Sequence, residues 1–311
     1  MFKRIAEFFQ KKRPFPPKKV MVLEGGGMRG VFLTGVLQGF TDRAYFPWKL
    51  IIGSSAGALA GAAYAAGQIH LARDAFFTLL TTKDFIRYFN VLNPEKHILD
   101  LDWLVNTIIG GDDPLDVEKV KASCPLIITA THIPENRPLE SVYLNSKTDD
   151  LKIALKATAA VPFLYRGFVK YNNFNLLDGA LLDPLPFHKA LDMGFGEEEI
   201  LVVTSRNREY RKRQESFWVK TLYEKYYKDP KYHFLIEALD NRYLKYNKVL
   251  DDLYLNHPGI SVIDPPLDYK IGRLTQDRDQ LLEGFELGTL TAREWLFNPE
   301  NCYKTRRRIP F

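Results

Sequence analysis

The chain has 311 residues, 46% of them apolar, 13% aromatic and 26% charged, a balance that fills a large core and excludes a disordered, collagenous or disulfide-scaffold protein. Cys124 and Cys302 are the only cysteines and lie far apart, outside any CxxC spacing, so neither a cysteine metal site nor a disulfide framework is expected and the chain reads as belonging to a reducing compartment. The net charge of +5 is uneven: residues 1–19 alone carry +6, and basic residues recur in 206–231 and in Lys304–Arg307.

In chain order, Phe2, Ile5 and Phe9 fall on one helical face between basic residues, and Pro14, Pro16 and Pro17 end any helix there. The leader 1–19 therefore reads either as an amphipathic helix lying on an anionic membrane or as a disordered arm. Its apolar part, Ile5–Phe9, is short, contains Glu7 and lacks a small-residue cleavage site, so no secretory signal is expected and the location reads as cytoplasmic. From Lys19 an apolar strand runs into three glycines and then into helix-spaced Val31, Gly35, Val36 and Phe40. Leu50–Ile52 repeats the order, with a turn at Gly53–Ser55 and a helix ending near Gly67. Leu50–Ala72 has no charged residue and is long enough for a membrane span, but the break at Gly53 and the many small residues favour strand, turn and helix. Two strand-then-helix units in succession predict an α/β fold, a mostly parallel central sheet with helices on both faces.

Further on, strands are predicted at Pro125–Ala130 and Ser141–Leu144 and a helix at Leu151–Thr158. Phe168–Tyr171 and Phe174–Leu177 form a hairpin about Asn172 and Asn173, because asparagine tolerates the left-handed backbone of a tight turn. A helix follows Pro184, then the strand Ile200–Thr204. Past Ser205 the sequence becomes aromatic, charged and helical to about Tyr254, which sets an expected boundary between residues 20–205 and a basic C-terminal extension, 206–311.

Gly53-Ser54-Ser55-Ala56-Gly57 is a GxSxG between a strand and a helix. Glycines on both sides permit a sharp turn that projects the Ser55 hydroxyl at a helix N-terminus, as a nucleophile needs; Ser54 points elsewhere. Gly25, Gly27 and Gly30 satisfy GxGxxG and admit two readings. A dinucleotide site wants an acidic residue ending the second strand, where Gly53 and Ser54 stand instead. The other reading makes the Gly25–Gly27 amides, with Arg29 alongside, an oxyanion hole. For the base, His188, His233 and His257 follow Ser55 in the chain without a recognisable motif. Asp178, in Asp178-Gly179-Ala180 at the end of a hairpin strand, can take the serine proton directly if burial raises its basicity.

Taken together, EGGGMRG (Glu24–Gly30), GSSAG (Gly53–Gly57), ATAAVPF (Ala157–Phe163) and DGA (Asp178–Ala180), in this order, resemble the patatin-like phospholipase family and its bacterial branch in particular. The resemblance covers roughly residues 20–205. It implies the family's hydrolase fold with a Ser–Asp dyad, Ser55 as nucleophile and Asp178 as base. It further implies an oxyanion hole from Gly25, Gly26, Gly27, Arg29 and Gly30, and phospholipase A-type hydrolysis of lipid acyl esters with no metal or organic cofactor. Glu24, Ala180 and Thr158 depart from the residues common in the family, and the resemblance assigns Thr158 no role. Phospholipid or another lipid ester is the expected partner, with peripheral contact to anionic membrane through the leader and residues 206–231. Nucleic acid is not expected, because no recognition motif accompanies the basic clusters. Two rivals stand beside this reading: a Ser-His-Asp esterase of small soluble esters, and a non-catalytic lipid-binding protein.

Overall fold

The structure is a computed structural model that describes residues 18–93 and 95–297. Most of the basic leader, the tail Lys304–Arg307 and Cys302 lie outside the described residues. Eight strands form one sheet: Val20–Leu23 (β1), Leu50–Gly53 (β2), Leu126–His132 (β3), Glu140–Asn145 (β4), Val169–Tyr171 (β5), Phe174–Asp178 (β6), Ile200–Val203 (β7) and Ser261–Ile263 (β8). The parallel centre runs β3-β2-β1-β7-β8, and β4, β5 and β6 add antiparallel pairings at one side. The predicted α/β sheet is thus present, and its last strand is supplied by the region after Ser205.

Among the described residues the α-helices are Gly30–Thr41 (α1), Ala56–Ala65 (α2), Ile69–Asp74 (α3), Leu101–Gly110 (α4), Val117–Ala122 (α5), Leu151–Ala159 (α6), Phe187–Asp192 (α7), Phe217–Tyr226 (α8), His233–Leu255 (α9) and Arg278–Phe297 (α10). Strand alternation sorts side chains between two apolar layers. Met21, Leu23, Ile51, Leu201 and Val203 pack with α1, α2, α6 and α10 on one face. Val20, Val22, Leu50, Ile52, Ile200 and Val202 pack with α7 and α9 on the other. A parallel sheet buried on both faces needs such near-continuous apolar strands. The uncharged stretch Leu50–Ala72 resolves into β2, α2 and the start of α3, and no described helix is long and apolar enough to cross a membrane.

One register detail positions the site. Ile127 and Ile128 of β3 pair with both β2 and β4, while Ala130 and His132 pair with both β4 and β6. A strand has two edges, so β2 and β6 must share the edge opposite β4, end to end. Gly53 at the end of β2 aligns with Ile128, and Asp178 at the end of β6 aligns with Ala130. Two residues along a strand span about 7 Å, and the turns leaving β2 and β6 therefore open toward the same spot.

The C-terminal region is built into this core. Helix α10 crosses α1 closely enough that a Cβ on Gly35 would sit 2.0 Å from the Phe285 carbonyl oxygen, and one on Gly288 2.1 Å from that of Phe32. Thr289 Oγ1 donates to the Gly35 carbonyl at 3.1 Å, and the rings of Phe40 and Trp295 lie 5.8 Å apart.

Candidate active site

Ser55 leaves β2 with φ 49° and ψ −125° and precedes the first residue of α2. Positive φ in a residue with a Cβ stores roughly 1–3 kcal/mol, so the surrounding bonds must hold it. The Ser55 N–H donates to Thr158 Oγ1 at 2.8 Å, tying the turn to the end of α6. Its carbonyl accepts from Ala58 and Leu59, and that of Ser54 accepts from Gly57 at 2.9 Å. Space is as constrained as hydrogen bonding: a Cβ on Gly25 would lie 2.9 Å from Ser55 Cβ, and one on Gly57 2.6 Å from the Leu23 carbonyl oxygen. Ser54 is fully buried, and its hydroxyl has no hydrogen-bond partner among the described residues.

The glycine loop follows β1. Among the described residues, no hydrogen bond takes the N–H of Gly25, Gly26 or Gly27, whereas the Met28 N–H is taken by the Arg273 carbonyl at 3.0 Å. Gly27 has φ +59°, and a Cβ there would meet the same carbonyl at 2.7 Å. All three glycines line a cavity of about 1100 Å³, a volume that includes its opening to solvent. Arg29 and Gly30, grouped with these donors from the sequence, are not among the residues lining the cavity. Arg29 Nε instead donates to the Ile271 carbonyl at 3.2 Å, and Gly30 lies against Ala56 and Phe76.

Asp178 lines the same cavity as Ser55. It ends β6, accepts the Ala180 N–H at 2.8 Å, and its carbonyl accepts from Thr131 Oγ1 at 2.9 Å. Burial pushes its carboxyl up to about 6, against the lowering pull of the Ala180 N–H and Arg273. That basicity suits proton transfer near neutral pH. Glu24, buried beside the glycines, accepts from the Ser205 N–H at 2.6 Å and from Tyr246 Oη at 3.0 Å, and pairs with Arg206. This network ties the glycine loop to β7 and α9.

None of the six histidines lines the cavity. His188 Nε2 and Asp252 Oδ2 are 2.8 Å apart, His257 Nδ1 and Glu197 Oε1 also 2.8 Å, and His233 Nδ1 lies 3.0 Å from the Pro230 carbonyl oxygen. His188, Asp252 and His257 bring one potential metal-ligand atom each within 4.8 Å of one another. Both rings already face carboxylates, and none of the three residues belongs to the cavity wall.

The remaining wall has two characters. Leu59, Leu80, Phe85, Leu104 and Leu164 contribute apolar surface to it, while Arg206, Lys212, Arg242 and Arg273 contribute cations. Arg242 and Arg273 carry no signal in the sequence, and Arg206 and Lys212 fall in the cluster 206–231, expected to face either anionic membrane or solvent. The structure corrects this for its inner members, because Arg206 is buried on Glu24 and Lys212 faces the cavity. Arg208, Arg211, Lys220 and Lys231 are ion-paired with Asp264, Asp251, Asp240 and Glu135. Thr158, left without a role from sequence, is the acceptor that holds the Ser55 turn; its place in ATAAVPF was the available signal.

The model of the family described as patatin-like phospholipase matches residues 21–191. The uncharacterized protein YjjU of Escherichia coli K12 is 27% identical over 311 residues, spanning 96% of this chain and 84% of that protein. The uncharacterized NTE family protein Rv1063c of Mycobacterium tuberculosis H37Rv is 30% identical over 177 residues, 55% of this chain and 44% of its own length. This chain thus aligns with less than half of that mycobacterial relative. In fold, the crystal structure of VipD from Legionella pneumophila superposes with a TM-score of 0.51 at 13% identity, covering 95% of this chain and 73% of that one. The match across β1, the glycine loop, the Ser55 turn and Asp178 establishes that this chain belongs to the patatin-like phospholipase family.

Proposed function

We propose that the protein hydrolyses acyl esters of lipids by a Ser–Asp dyad, with Ser55 as nucleophile, Asp178 as base and the Gly25–Gly27 amides as oxyanion hole. The observation that carries this reading is that Ser55, Asp178 and three glycines, whose N–H groups have no hydrogen-bond partner among the described residues, line one cavity that no histidine lines. In the proposed first step Ser55 Oγ attacks the ester carbonyl as its proton passes to Asp178, and the glycine amides hold the resulting oxyanion. Collapse expels the alcohol, which takes the proton from Asp178, and leaves an acyl-serine. Water, deprotonated by Asp178, then attacks the acyl-serine; Ser55 recovers the proton and the fatty acid leaves. Leu59, Leu80, Phe85, Leu104 and Leu164 offer the acyl chain an apolar bed. No step in this sequence calls on a metal or an organic cofactor.

Residues 206–297 belong, in this reading, to the same working unit, because they complete the sheet with β8 and the cavity wall with Lys212, Arg242 and Arg273. Peripheral contact with anionic membrane stays with the leader 1–19, whose +6 charge remains its chief support. The deciding experiment is intact-mass analysis after treatment with a fluorophosphonate. A single adduct on wild type, mapped to Ser55 and absent in Ser55→Ala, is expected. Folded wild type that takes no adduct, with or without lipid vesicles, would overturn the dyad and favour a lipid-binding protein.

A further inference from the structure

The cationic wall of the cavity comes entirely from the region after Ser205, and its members are not equally satisfied. Arg206 is neutralised by Glu24, and Arg242 by Glu215 with Tyr223 Oη at 3.3 Å. Arg273 and the Lys212 ammonium, by contrast, have neither an ion-pair nor a side-chain hydrogen-bond partner among the described residues, yet both line the cavity with Asp178. Arg242 Nε is buried and has no hydrogen-bond partner among the described residues. Lys212 and Arg273 are half-buried, and holding cations this close together is costly unless an anion answers them. The electrostatics agree: burial, then Arg242, Arg273 and Arg206, push the Lys212 ammonium down to about 6, and burial with Arg242 and Arg206 pushes Arg273 down to about 10. The wall also lacks something. Its two carboxylates are Glu24, which is committed to Arg206 and Tyr246, and Asp178, which the proposed mechanism uses. Among the described residues of the wall, no acidic side chain is left to receive a choline or ethanolamine ammonium.

We infer that Arg273 and Lys212, backed by Arg242, form an anion-reading wall that selects phospholipids whose headgroup carries a phosphate and no compensating ammonium. The inference rests on the ester-hydrolase reading above and adds the substrate class. With the acyl chain on the apolar residues and the scissile carbonyl at Ser55, the phosphate beyond the glycerol is met by the cationic residues that line the same cavity and act on Asp178. A guanidinium donates to a phosphate through two parallel N–H groups, and an ammonium adds a point charge. An arriving phosphate also relieves the repulsion that lowers the Lys212 proton affinity, so Lys212 takes up a proton as the lipid binds.

The test uses short-chain dihexanoyl lipids below their micelle-forming concentration, so that no membrane surface recruits the protein. Wild type, Arg273→Gln and Lys212→Gln are compared on phosphatidic acid, phosphatidylglycerol, phosphatidylcholine and diacylglycerol. The full chain is used throughout. Wild type is expected to favour phosphatidic acid and phosphatidylglycerol over phosphatidylcholine and diacylglycerol by about tenfold or more in kcat/KM, the effect of one charge-assisted hydrogen bond. In both variants that ratio should collapse to within about threefold, chiefly through KM for the anionic lipids. Fluorophosphonate labelling of Ser55 in each variant reports that the fold and nucleophile persist.

Labelled Ser55 with equal rates on all headgroups in wild type would overturn the anion-reading wall and leave ester hydrolysis standing. So would a headgroup preference that survives both substitutions. Inhibition by hexanoate that weakens in Arg273→Gln, in the absence of any headgroup preference, would reassign the wall to the product carboxylate and also overturn the proposal. Neither labelling nor turnover of any lipid in wild type would bring down both readings together.

Discussion

Residues 20–205 and residues 206–297 face one cavity but reach it by different means. In the first region every group assigned to the chemistry sits on a turn that leaves a strand: Gly25–Gly27 after β1, Ser55 after β2 and Asp178 at the end of β6. Such turns demand particular residues at fixed spacing, for instance a glycine where a Cβ would press on Ser55. In the second region Lys212 lies on an irregular segment, Arg242 inside the long helix α9 and Arg273 on the connection before α10. Nothing about those backbones requires arginine or lysine. Reactive groups held by strained turns leave a motif, whereas a wall assembled from distant segments leaves none, although it borders the same space.

The strongest way to probe the first region is Asp178→Asn. Loss of a general base should lower kcat by a factor of about 10²–10⁴, and kcat/KM of wild type should rise with pH through about 6 as Asp178 ionises. Stability should move the other way. A carboxyl raised from 3.8 to about 6 binds its proton more tightly in the folded protein. Folding stability therefore falls as pH rises from about 4 to about 6, by an amount on the order of 3 kcal/mol, and stays lower above that range. The uncharged amide of Asp178→Asn would carry no such burden. Thermal melts should show the variant more stable than wild type at pH 8, with the difference vanishing near pH 4; a variant destabilised at pH 8 would contradict the buried-charge account.

The next largest effect tests whether the second region is structurally separable. Gly288→Val places a side chain where the α1 backbone already lies 2.1 Å from an added Cβ. Overpacking of this kind should cost about 3 kcal/mol in urea unfolding despite valine's better helix propensity. An unchanged midpoint would mean that α10 rides on the core instead of forming part of it.

Much of this architecture could be read from local patterns. The β1 and β2 units, α6, the β5–β6 hairpin and β7 all announce themselves by apolar runs, glycines or turn residues. Three things could not be read that way. Strand β8 is only three residues, Ser261–Ile263, and is a strand because β7 presents an open parallel edge. The sharing of one β3 edge by β2 and β6, which sets Ser55 near Asp178, is a property of pairing and not of any segment. Arg206 looks like a surface cation in a basic run and is buried because Glu24, 182 residues away in sequence, neutralises it. Arg29 shows the converse: proximity to the glycines in sequence did not bring it to the cavity wall.

Thr158 offers a finer test of how the first region holds its nucleophile. Thr158→Val removes the acceptor of the Ser55 N–H while keeping shape, leaving a buried donor unsatisfied at a cost of about 1–2 kcal/mol. If the lost bond positions Ser55, fluorophosphonate labelling should slow by roughly tenfold, and Thr158→Ser, which restores the hydroxyl, should recover most of the rate. Equal labelling by valine and serine variants would show that the glycine contacts alone set the turn.

The smallest expected effect is the most discriminating between rival bases. His188 is exposed, stacks on Phe187 at 4.0 Å and faces Asp252. An exposed pair of this kind is worth roughly 0–1 kcal/mol, so His188→Gln should shift the melting temperature by a few degrees at most and leave turnover as it was. The same near-silence is expected for His257→Gln, because its ring faces Glu197 and not the cavity. A Ser-His-Asp esterase built on either residue would instead lose turnover by orders of magnitude, since the histidine in such a triad carries the proton that Asp178 is assigned here. The two readings therefore diverge most at the positions where this structure predicts almost nothing.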